Sequence, residues 1–436
     1  MPRHASAILG APMRFPFVDR LAALGPAFRW LLLSDAQMLL ALMVGQVALP
    51  WWIATNGGAH HLALYSVFTS GVAIVAMPLL SPLGDRVPKR RMIQAALVMF
   101  AVSSSCVALL ASFGVYSIGL LLALGIGPVL AQAALQPATS SFVTELVPPS
   151  ALAGALGLQQ SAQASGRMIG PAIGGAVLGA FGTAAALWLN VVLLVGGAFA
   201  ARRLPEGVPP RGARRAWRAD LAAGMRANWR IPLERGWILA NFSSWIFLMP
   251  CFTMLVPLKV QSLHLGGAWL GFCEAGLSLG VLMGSLGGSG WLVARFGRFH
   301  VRVGAAVVQG IALGLAGATS NGPLLVVGFV VAGLMNAAMV LVGMTHRMLA
   351  RPQAFRARMV ASSIASTNVA AMIGPTLAGV ALLHLPVAAV FVAFGLAGAF
   401  CALGLGLVPG FRAFMALDHE QVDNFYGRHF PQAFMD

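Results

Sequence analysis

Long apolar stretches separated by short polar segments run along almost the whole chain. Hydrophobic residues make up 58% of the 436 positions, and charged residues make up only 9%. A helix needs about 20 consecutive apolar residues to cross the hydrocarbon layer of a membrane, and many stretches reach that length. The pattern predicts twelve membrane-spanning helices, and therefore an all-α polytopic membrane protein embedded in a lipid bilayer.

The predicted spans fall into two groups of six. The first group is 30–55, 62–83, 92–112, 115–146, 151–181 and 184–201, and the second is 236–262, 268–294, 301–319, 323–349, 359–383 and 387–408. Five units follow along the chain: a segment 1–29 with an interfacial helix at 15–28, a bundle 30–202, a basic linker 203–235, a bundle 236–409 and a polar tail 410–436. The linker is either a solvated tether or carries a surface helix at 213–228 on anionic lipid.

Positive charge is concentrated in alternate connections between the spans. Four connections are rich in arginine (86–91, 202–235, 295–302 and 347–358), whereas those between them are short and nearly uncharged. The positive-inside rule places the basic connections and both termini in the cytoplasm, with the chain in a bacterial inner membrane. The net charge of +16 does not indicate nucleic acid as a partner, because the cations lie between spans and not on a soluble domain.

The residues that enzymes and metal sites require are not grouped in this sequence. The four cysteines lie at unrelated spacings within apolar stretches, which predicts buried thiols and neither a disulfide framework nor a zinc site. His60 and His61 lie in a connection, and there is no phosphate-binding loop of the Gly-x4-Gly-Lys type. We therefore expect no metal, no cofactor, no enzymatic activity and no direct use of ATP.

A short repeat relates the two groups of spans. The sequence Met-Ile-Gly-Pro at 168–171 recurs at 372–375, shifted by 204 residues, in the fifth helix of each group. Two similar halves joined by a basic loop are typical of a transporter that alternates access to a site at the midplane.

The loop after the second span resembles a signature of the Major Facilitator Superfamily. Asp85, Arg86 and Arg90 fit that signature, although Ser81 stands where a glycine is usual. A second copy at 290–298 keeps Arg295 and Arg298 but has alanine in the aspartate's place. The resemblance covers nearly the whole chain and implies two pseudo-symmetric six-helix bundles, a monomer, and a latch between the halves formed by these five charged residues. The alternative is that the arginines only set the topology.

The fifth span resembles the antiporter motif of the same superfamily. All its defining positions are present, namely Gly166, Gly170, Pro171, Gly174 and Gly175. The resemblance implies an exporter that exchanges its substrate for protons, and the alternative is a generic tight-packing helix. Residues 135–148 resemble the branch that contains bacterial macrolide-efflux proteins and enterobactin-type siderophore exporters.

Three ionisable residues are predicted within the spans: Asp35, Arg167 and Glu274. Such groups are costly in a membrane and indicate function. Arg167 and Glu274 fall at similar depths, about 24 Å and 9 Å from opposite ends of their helices. We therefore expect them to meet in at least one state, where they form either a proton-coupling pair or a static ion pair. Asp35 lies near a helix end, where capping or snorkelling competes with a coupling role.

The substrate site is expected between the halves, with aromatic and amide side chains that suit a small amphipathic molecule such as a drug or siderophore. The candidates are Tyr65, Gln136, Asn241, Phe242, Trp245, Phe272, Asn336 and Asn368. Phe242, Trp245 and Phe272 have packing between helices as their alternative role. An importer and a lipid flippase on the same fold remain open as functions.

Overall fold

The computed structural model describes residues 25–80, 87–147, 152–206, 217–353 and 355–435. Throughout these ranges the regular secondary structure is helical. The interfacial helix expected at 15–28 lies mostly outside them. Nine helices within the described residues are long and apolar enough to cross a membrane.

Three of these nine helical stretches contain two membrane spans each. A glycine with positive φ divides each one: Gly58 (φ 64°), Gly182 (φ 84°) and Gly297 (φ 78°). Glycine adopts this left-handed backbone without steric cost, so the chain bends sharply here and begins the next span. Division at these positions confirms twelve spans within the described residues. It also shows that 295–302, which we expected to be a loop, is mostly helical.

The spans are numbered here in chain order. Spans 1 and 2 are the halves of Gly25–Leu80, span 3 is Lys89–Ser112, span 4 is Ile118–Leu146, and spans 5 and 6 are the halves of Leu152–Ala201. Span 7 runs from Pro232–Pro250 through a π-helical turn at Cys251–Leu255 into Val256–Ser262. Spans 8 and 9 comprise Gly267–Met283, the π-helical turn Gly284–Gly288 and Ser289–Ala318, and they are divided at Gly297. Spans 10, 11 and 12 are Gly322–Ala350, Arg356–Ala381 and Val387–Leu403.

The sequence repeat corresponds to equivalent helix packing in the two bundles. Gly170 of span 5 packs against Met43 of span 1, and Gly374 of span 11 packs against the Ile246 carbonyl of span 7. In both places the missing side chain lets two helices approach closely, which is the usual role of small residues in membrane bundles. The expected pseudo-symmetry of two six-helix bundles is therefore present in the packing.

The two bundles touch at the end that lies away from the basic connections. Span 5 meets span 8 where Gly175 lies against Gly271. Span 11 meets span 2 at Gly379, where an added Cβ would lie 2.6 Å from that of Ala63. The two contacts are equivalent in the internal repeat, because Gly379 lies 204 residues after Gly175. Gln261 of span 7 also donates a 2.9 Å hydrogen bond from Nε2 to Thr55 Oγ1 of span 1.

The linker contains a helix that packs onto the second bundle. The helix is Trp217–Arg230, close to the position expected, and residues 207–216 lie outside the described ranges. Its Asn228 is buried and donates a hydrogen bond from Nδ2 to the Met359 carbonyl at 3.0 Å. Gly224 lies against Arg358 at the start of span 11. The linker is therefore anchored along this helix, and the simple tether is wrong for these residues.

The C-terminal segment differs from the polar tail that we expected. Phe411, Phe414 and Tyr426 are at most 2% exposed, and they pack with Trp237 and Leu233 of span 7. The segment folds into the short helices Phe411–Ala416, His419–Val422 and Phe425–His429. Its aromatic residues give it an apolar face, so it closes over the basic-loop end of the second bundle.

Candidate functional site

A cavity of about 630 Å³ lies between the two bundles. Spans 1, 5, 7, 8 and 10 form its wall, as expected for a site at the interface of two pseudo-equivalent halves. Polar and charged side chains in the wall come from both bundles. The principal ones are Gln46, Gln163, Arg167, Glu274, Ser278 and Asn336.

Arg167 and Glu274 both line this cavity, and their meeting in another state stays a prediction. Arg167 is exposed to the cavity and Glu274 is half-buried. Among the described residues, neither side chain forms an ion pair within 4 Å, so the two face one cavity without closing on each other. The helices that carry them touch through Ser278, whose hydroxyl donates to the Arg167 carbonyl at 3.5 Å.

Asp35 is buried between spans 1 and 5 instead of lying at a helix end. It is 4% exposed, and its Oδ2 accepts hydrogen bonds from Gln159 Nε2 at 3.2 Å and Gln163 Nε2 at 2.8 Å. The interpretations of capping and snorkelling are therefore wrong. Gln163 also lines the central cavity, so it links Asp35 to the cavity wall.

The glycines of the antiporter motif face two different helices. Gly166, Gly170 and Gly174 pack against Leu39, Met43 and Val44 of span 1, within the first bundle. Gly175 faces span 8 across the interface, and Pro171 lines the cavity. The flat glycine face thus serves mainly contact within one bundle, and Gly175 alone among these four reaches the other half.

The expected latch is described only in part. Asp85 and Arg86 lie outside the described residues, and Arg90 is half-buried in the first turn of span 3. In the second copy Arg295 is exposed. Arg298 binds the C-terminal segment, donating to the Leu417 carbonyl at 2.9 Å with Asp418 at 3.7 Å.

The substrate candidates are distributed over three cavities. Trp245 and Asn336 line the central one, whereas Asn241 and Phe242 line a smaller cavity of about 240 Å³ in the second bundle, which also includes Trp245. Tyr65 lines a third cavity, also of about 240 Å³, within the first bundle. These two smaller cavities belong to single bundles, so only Trp245 and Asn336 of these residues contact the interface between the halves.

Three candidates do not line any of these cavities in the described structure. Phe272 is 55% exposed and packs edge-on against Trp269, so it is not a cavity residue. Asn368 of span 11 follows directly after Thr367, which lines the cavity of the second bundle, but does not itself line it, and the side chain of Gln136 is outside the described part of the chain.

The sequence of residues 31–345, most of the chain, matches the model of one protein family. The chain belongs to the Major Facilitator Superfamily. Family membership and the twelve-span fold indicate a multi-pass membrane transporter of small molecules and not an enzyme. No curated protein matches this chain.

Solved transporter structures share this superfamily fold at low sequence identity. The nucleoside transporter NupG superposes with a TM-score of 0.71 at 13% identity, covering 88% of this chain and 100% of its own. A variant of a POT peptide transporter in complex with alafosfalin gives 0.69 at 14% identity, covering 93% and 100%. A bacterial homologue of the iron transporter ferroportin, in an inward-facing state, gives 0.63 at 15% identity, covering 88% and 99%.

The protein also buries charged residues that the sequence analysis did not identify as lying within the spans. Glu234 is fully buried at the start of span 7 and accepts hydrogen bonds from Arg347 Nη2 at 2.5 Å and Arg351 Nη2 at 2.9 Å. Arg302 of span 9 is 3% exposed, as is Lys259 of span 7. The prediction of three ionisable residues within the spans was therefore wrong. The four-residue spacing of Arg347 and Arg351 was the available signal, because it places both on one helix face.

Proposed function

We propose that the protein exports a small amphipathic molecule from the bacterial cytoplasm in exchange for protons. The observation that carries this proposal is the cavity between the bundles, which contains a carboxylate and a guanidinium from opposite halves. Its volume of about 630 Å³ falls within the ~300–1,000 Å³ of typical small-molecule sites. Met43, Met249 and Phe252 supply apolar surface beside the polar groups, which suits an amphipathic substrate.

Alternating access is supported by the way in which the bundles meet. Their contacts at Gly175 and Gly379 lie at one end, and these contacts involve small residues without interlocking side chains. Such contacts separate without breaking buried ion pairs. Rocking of one bundle against the other would then expose the cavity at each membrane face in turn.

Proton coupling is assigned to Glu274, with Arg167 as its partner. A carboxylate within a membrane protein is costly and needs a compensating role. When the bundles bring Arg167 close, the ionised carboxylate is stabilised; when they separate, the protonated form is favoured. In the described structure both side chains line one cavity without an ion pair between them, which supports a contact that forms in another state of the cycle. The competing interpretation is a static pair that serves packing alone.

Several finer features follow from the resemblance described above. The antiporter motif and residues 135–148 favour export of a drug or siderophore, as in the macrolide-efflux and enterobactin-type branch. The arginine distribution favours an inner-membrane location with both termini in the cytoplasm. The latch assignment to Asp85, Arg86, Arg90, Arg295 and Arg298 and the monomeric state remain part of this proposal.

Transport in proteoliposomes tests the proposal. Labelled macrolide and labelled siderophore are each supplied on one side, under an imposed pH gradient and then without it. We expect movement against the substrate gradient only when the pH gradient is present, and loss of this movement in Glu274→Gln. Glu420→Gln, which changes an exposed carboxylate of the C-terminal segment, is the matched control and should transport normally.

This assay and two further measurements distinguish the competing functions. Pumping by Glu274→Gln equal to that of the unmodified protein would exclude the coupling role. In intact cells, net accumulation of the substrate instead of extrusion would identify an importer. Movement of a fluorescent phospholipid between leaflets, without transport of either soluble substrate, would identify a lipid flippase.

A further inference from the structure

A group of buried arginines surrounds a single carboxylate at the basic-loop end of the second bundle. Arg347 and Arg351 both bind Glu234, at 2.5 Å and 2.9 Å. Arg302 has no acid partner among the described residues, and its Nη2 donates to the amide oxygen of Asn241 at 2.8 Å. The guanidinium carbons of Arg302 and Arg347 both lie near the Trp237 ring, at 5.1 Å and 4.9 Å from its centroid.

The positive charge of this group exceeds its negative charge. In the described part of the chain, this group contains three guanidinium groups and one carboxylate, and the side chains of Arg302 and Arg351 are each about 3% exposed. Burial raises the pKa of the nearby Tyr426 well above 10.0, so its hydroxyl stays neutral and adds no negative charge. Asp418 is 82% exposed and faces Arg298 instead. Buried cations without a counter-charge are unfavourable, so the arrangement favours binding of an anion.

Unused hydrogen-bond donors point to the same conclusion. In the described structure, Nε of Arg302 and Nε of Arg351 are buried and have no hydrogen-bond partner. Neither atom is itself open to the cavity, and such unpaired donors add to the cost of burying these cations. Guanidinium groups bind carboxylate and phosphate oxygens particularly well, because their donors match the geometry of these oxyanions.

A cavity gives an anion access to this group. The cavity of about 240 Å³ is lined by Arg302, Arg347 and Arg351 together with Asn241, Met344 and Ile364. This volume is below the ~300–1,000 Å³ of sites that enclose a whole drug-sized molecule, so it suits a head group. Met344 and Ile364 are more than half exposed and provide apolar surface beside the arginines. Trp245 lines both this cavity and the central one, so the two are neighbours.

We propose that this cavity binds the carboxylate or phosphate head group of an amphipathic anion, with Arg302 as the principal ligand-binding residue and Arg347 beside it. The apolar part of the ligand lies along Met344 and Ile364 towards Trp245. The head group belongs either to a soluble organic anion or to an anionic phospholipid, since both present the same chemistry. The site is independent of the direction of transport and of proton coupling, so it goes beyond the function proposed above.

Binding of octyl phosphate tests this site without any transport measurement. The full-length protein is placed in nanodiscs of neutral phosphatidylcholine, and the tryptophan fluorescence and the thermal unfolding midpoint are followed as octyl phosphate is added. We expect saturable binding, a higher midpoint, and no such response to octyltrimethylammonium or octyl glucoside. Inorganic phosphate should compete with octyl phosphate if the head group dominates recognition.

Two variants of the site and one control sharpen the test. Arg302→Gln should weaken binding at least about tenfold, because one charge-assisted contact is lost. It should not lower the unfolding midpoint of the empty protein, since it removes an unmatched buried charge. If Arg302 served only to stabilise the fold, the same change would lower this midpoint. Asn241→Asp places a carboxylate at the Arg302 contact, so it should raise the midpoint and abolish the response to octyl phosphate. The control is Arg235→Gln, which alters an exposed arginine on span 7, the span that carries Asn241. This variant should bind octyl phosphate normally.

Each outcome supports or overturns the proposal. Equal responses to the anionic and the cationic amphiphile, or unchanged binding in both Arg302→Gln and Asn241→Asp, would overturn it. If phosphatidylglycerol in the nanodisc removes the response to octyl phosphate, an anionic lipid is the occupant. If the response persists in that membrane, a soluble amphipathic anion is the occupant.

Discussion

Gly175 and Gly271 bring the backbones of spans 5 and 8 into direct contact across the interface between the bundles. A Cβ atom on either glycine would overlap with the backbone of the other. The closure of this end of the molecule therefore depends on the absence of side chains at two positions, one in each half. Because Gly175 follows Gly174 of the antiporter motif, this contact connects a sequence signature to a movable interface.

Replacing Gly175 by leucine should prevent this end from closing. Overpacking of a tight contact costs about 1–3 kcal/mol, which is enough to shift a balanced conformational equilibrium strongly. We expect lower disulfide formation between Thr55→Cys and Gln261→Cys, whose native side chains are hydrogen-bonded at 2.9 Å when this end is closed. The same yield of cross-linked protein with and without Gly175→Leu would contradict the prediction. Gly304→Leu is the control, because an added Cβ at Gly304 meets nothing within 4 Å.

Replacing Glu234 by glutamine should destabilise the second bundle. The change leaves Arg347 and Arg351 buried without a counter-charge, and breaking a buried pair in this way costs about 3–5 kcal/mol. Thermal unfolding of the purified protein measures the effect. Arg235→Gln changes the adjacent, exposed residue and should unfold as the original protein does. Matching midpoints for the two variants would show that Glu234 does not stabilise the arginines.

Asp35 and Glu274 should differ in what they do for transport. Asp35→Asn weakens the charge-assisted hydrogen bonds from Gln159 and Gln163, each worth about 1.5–3 kcal/mol, so it should lower stability. It should keep the pH dependence of the transport rate, since Asp35 is enclosed between spans 1 and 5. Glu274→Gln should keep stability and lose the pH dependence. Rates measured at several pH values in proteoliposomes check both expectations, and a reversed pattern would assign coupling to Asp35.

Replacing Phe414 by alanine should loosen the C-terminal segment from the second bundle, because its ring packs against His346 of span 10. Phe414 is 2% exposed, and truncation of such a side chain costs about 3–5 kcal/mol. Limited proteolysis should cut the segment sooner in this variant, and the unfolding midpoint should fall. Met435→Ala provides the comparison, because Met435 lies in the same segment and is 64% exposed. Equal proteolysis of both variants would mean that the aromatic packing does not hold the segment in place.

The sequence by itself determined the class of protein, the number of spans and the pairing of the two halves. These features follow from local quantities, namely the length of apolar stretches and the repeated Met-Ile-Gly-Pro, which do not depend on how helices pack. The same reasoning placed Arg167 and Glu274 at one depth, and both line the central cavity. Depth along a helix can be counted from the sequence because the rise per residue is fixed.

Only the tertiary structure decided which neighbours each residue has. Periodicity fixes the position of Phe272 along span 8 but not the direction it faces, and the packing leaves it exposed beside Trp269. Likewise, Glu234 and Arg347 are 113 residues apart, and their side chains meet at a cavity that residues of spans 7 and 10 both line. The sequence of the C-terminal segment likewise did not reveal which of its aromatic residues are buried, because their burial depends on contacts with distant spans. Contacts between distant segments depend on the relative rotation of helices, and no local pattern encodes that rotation.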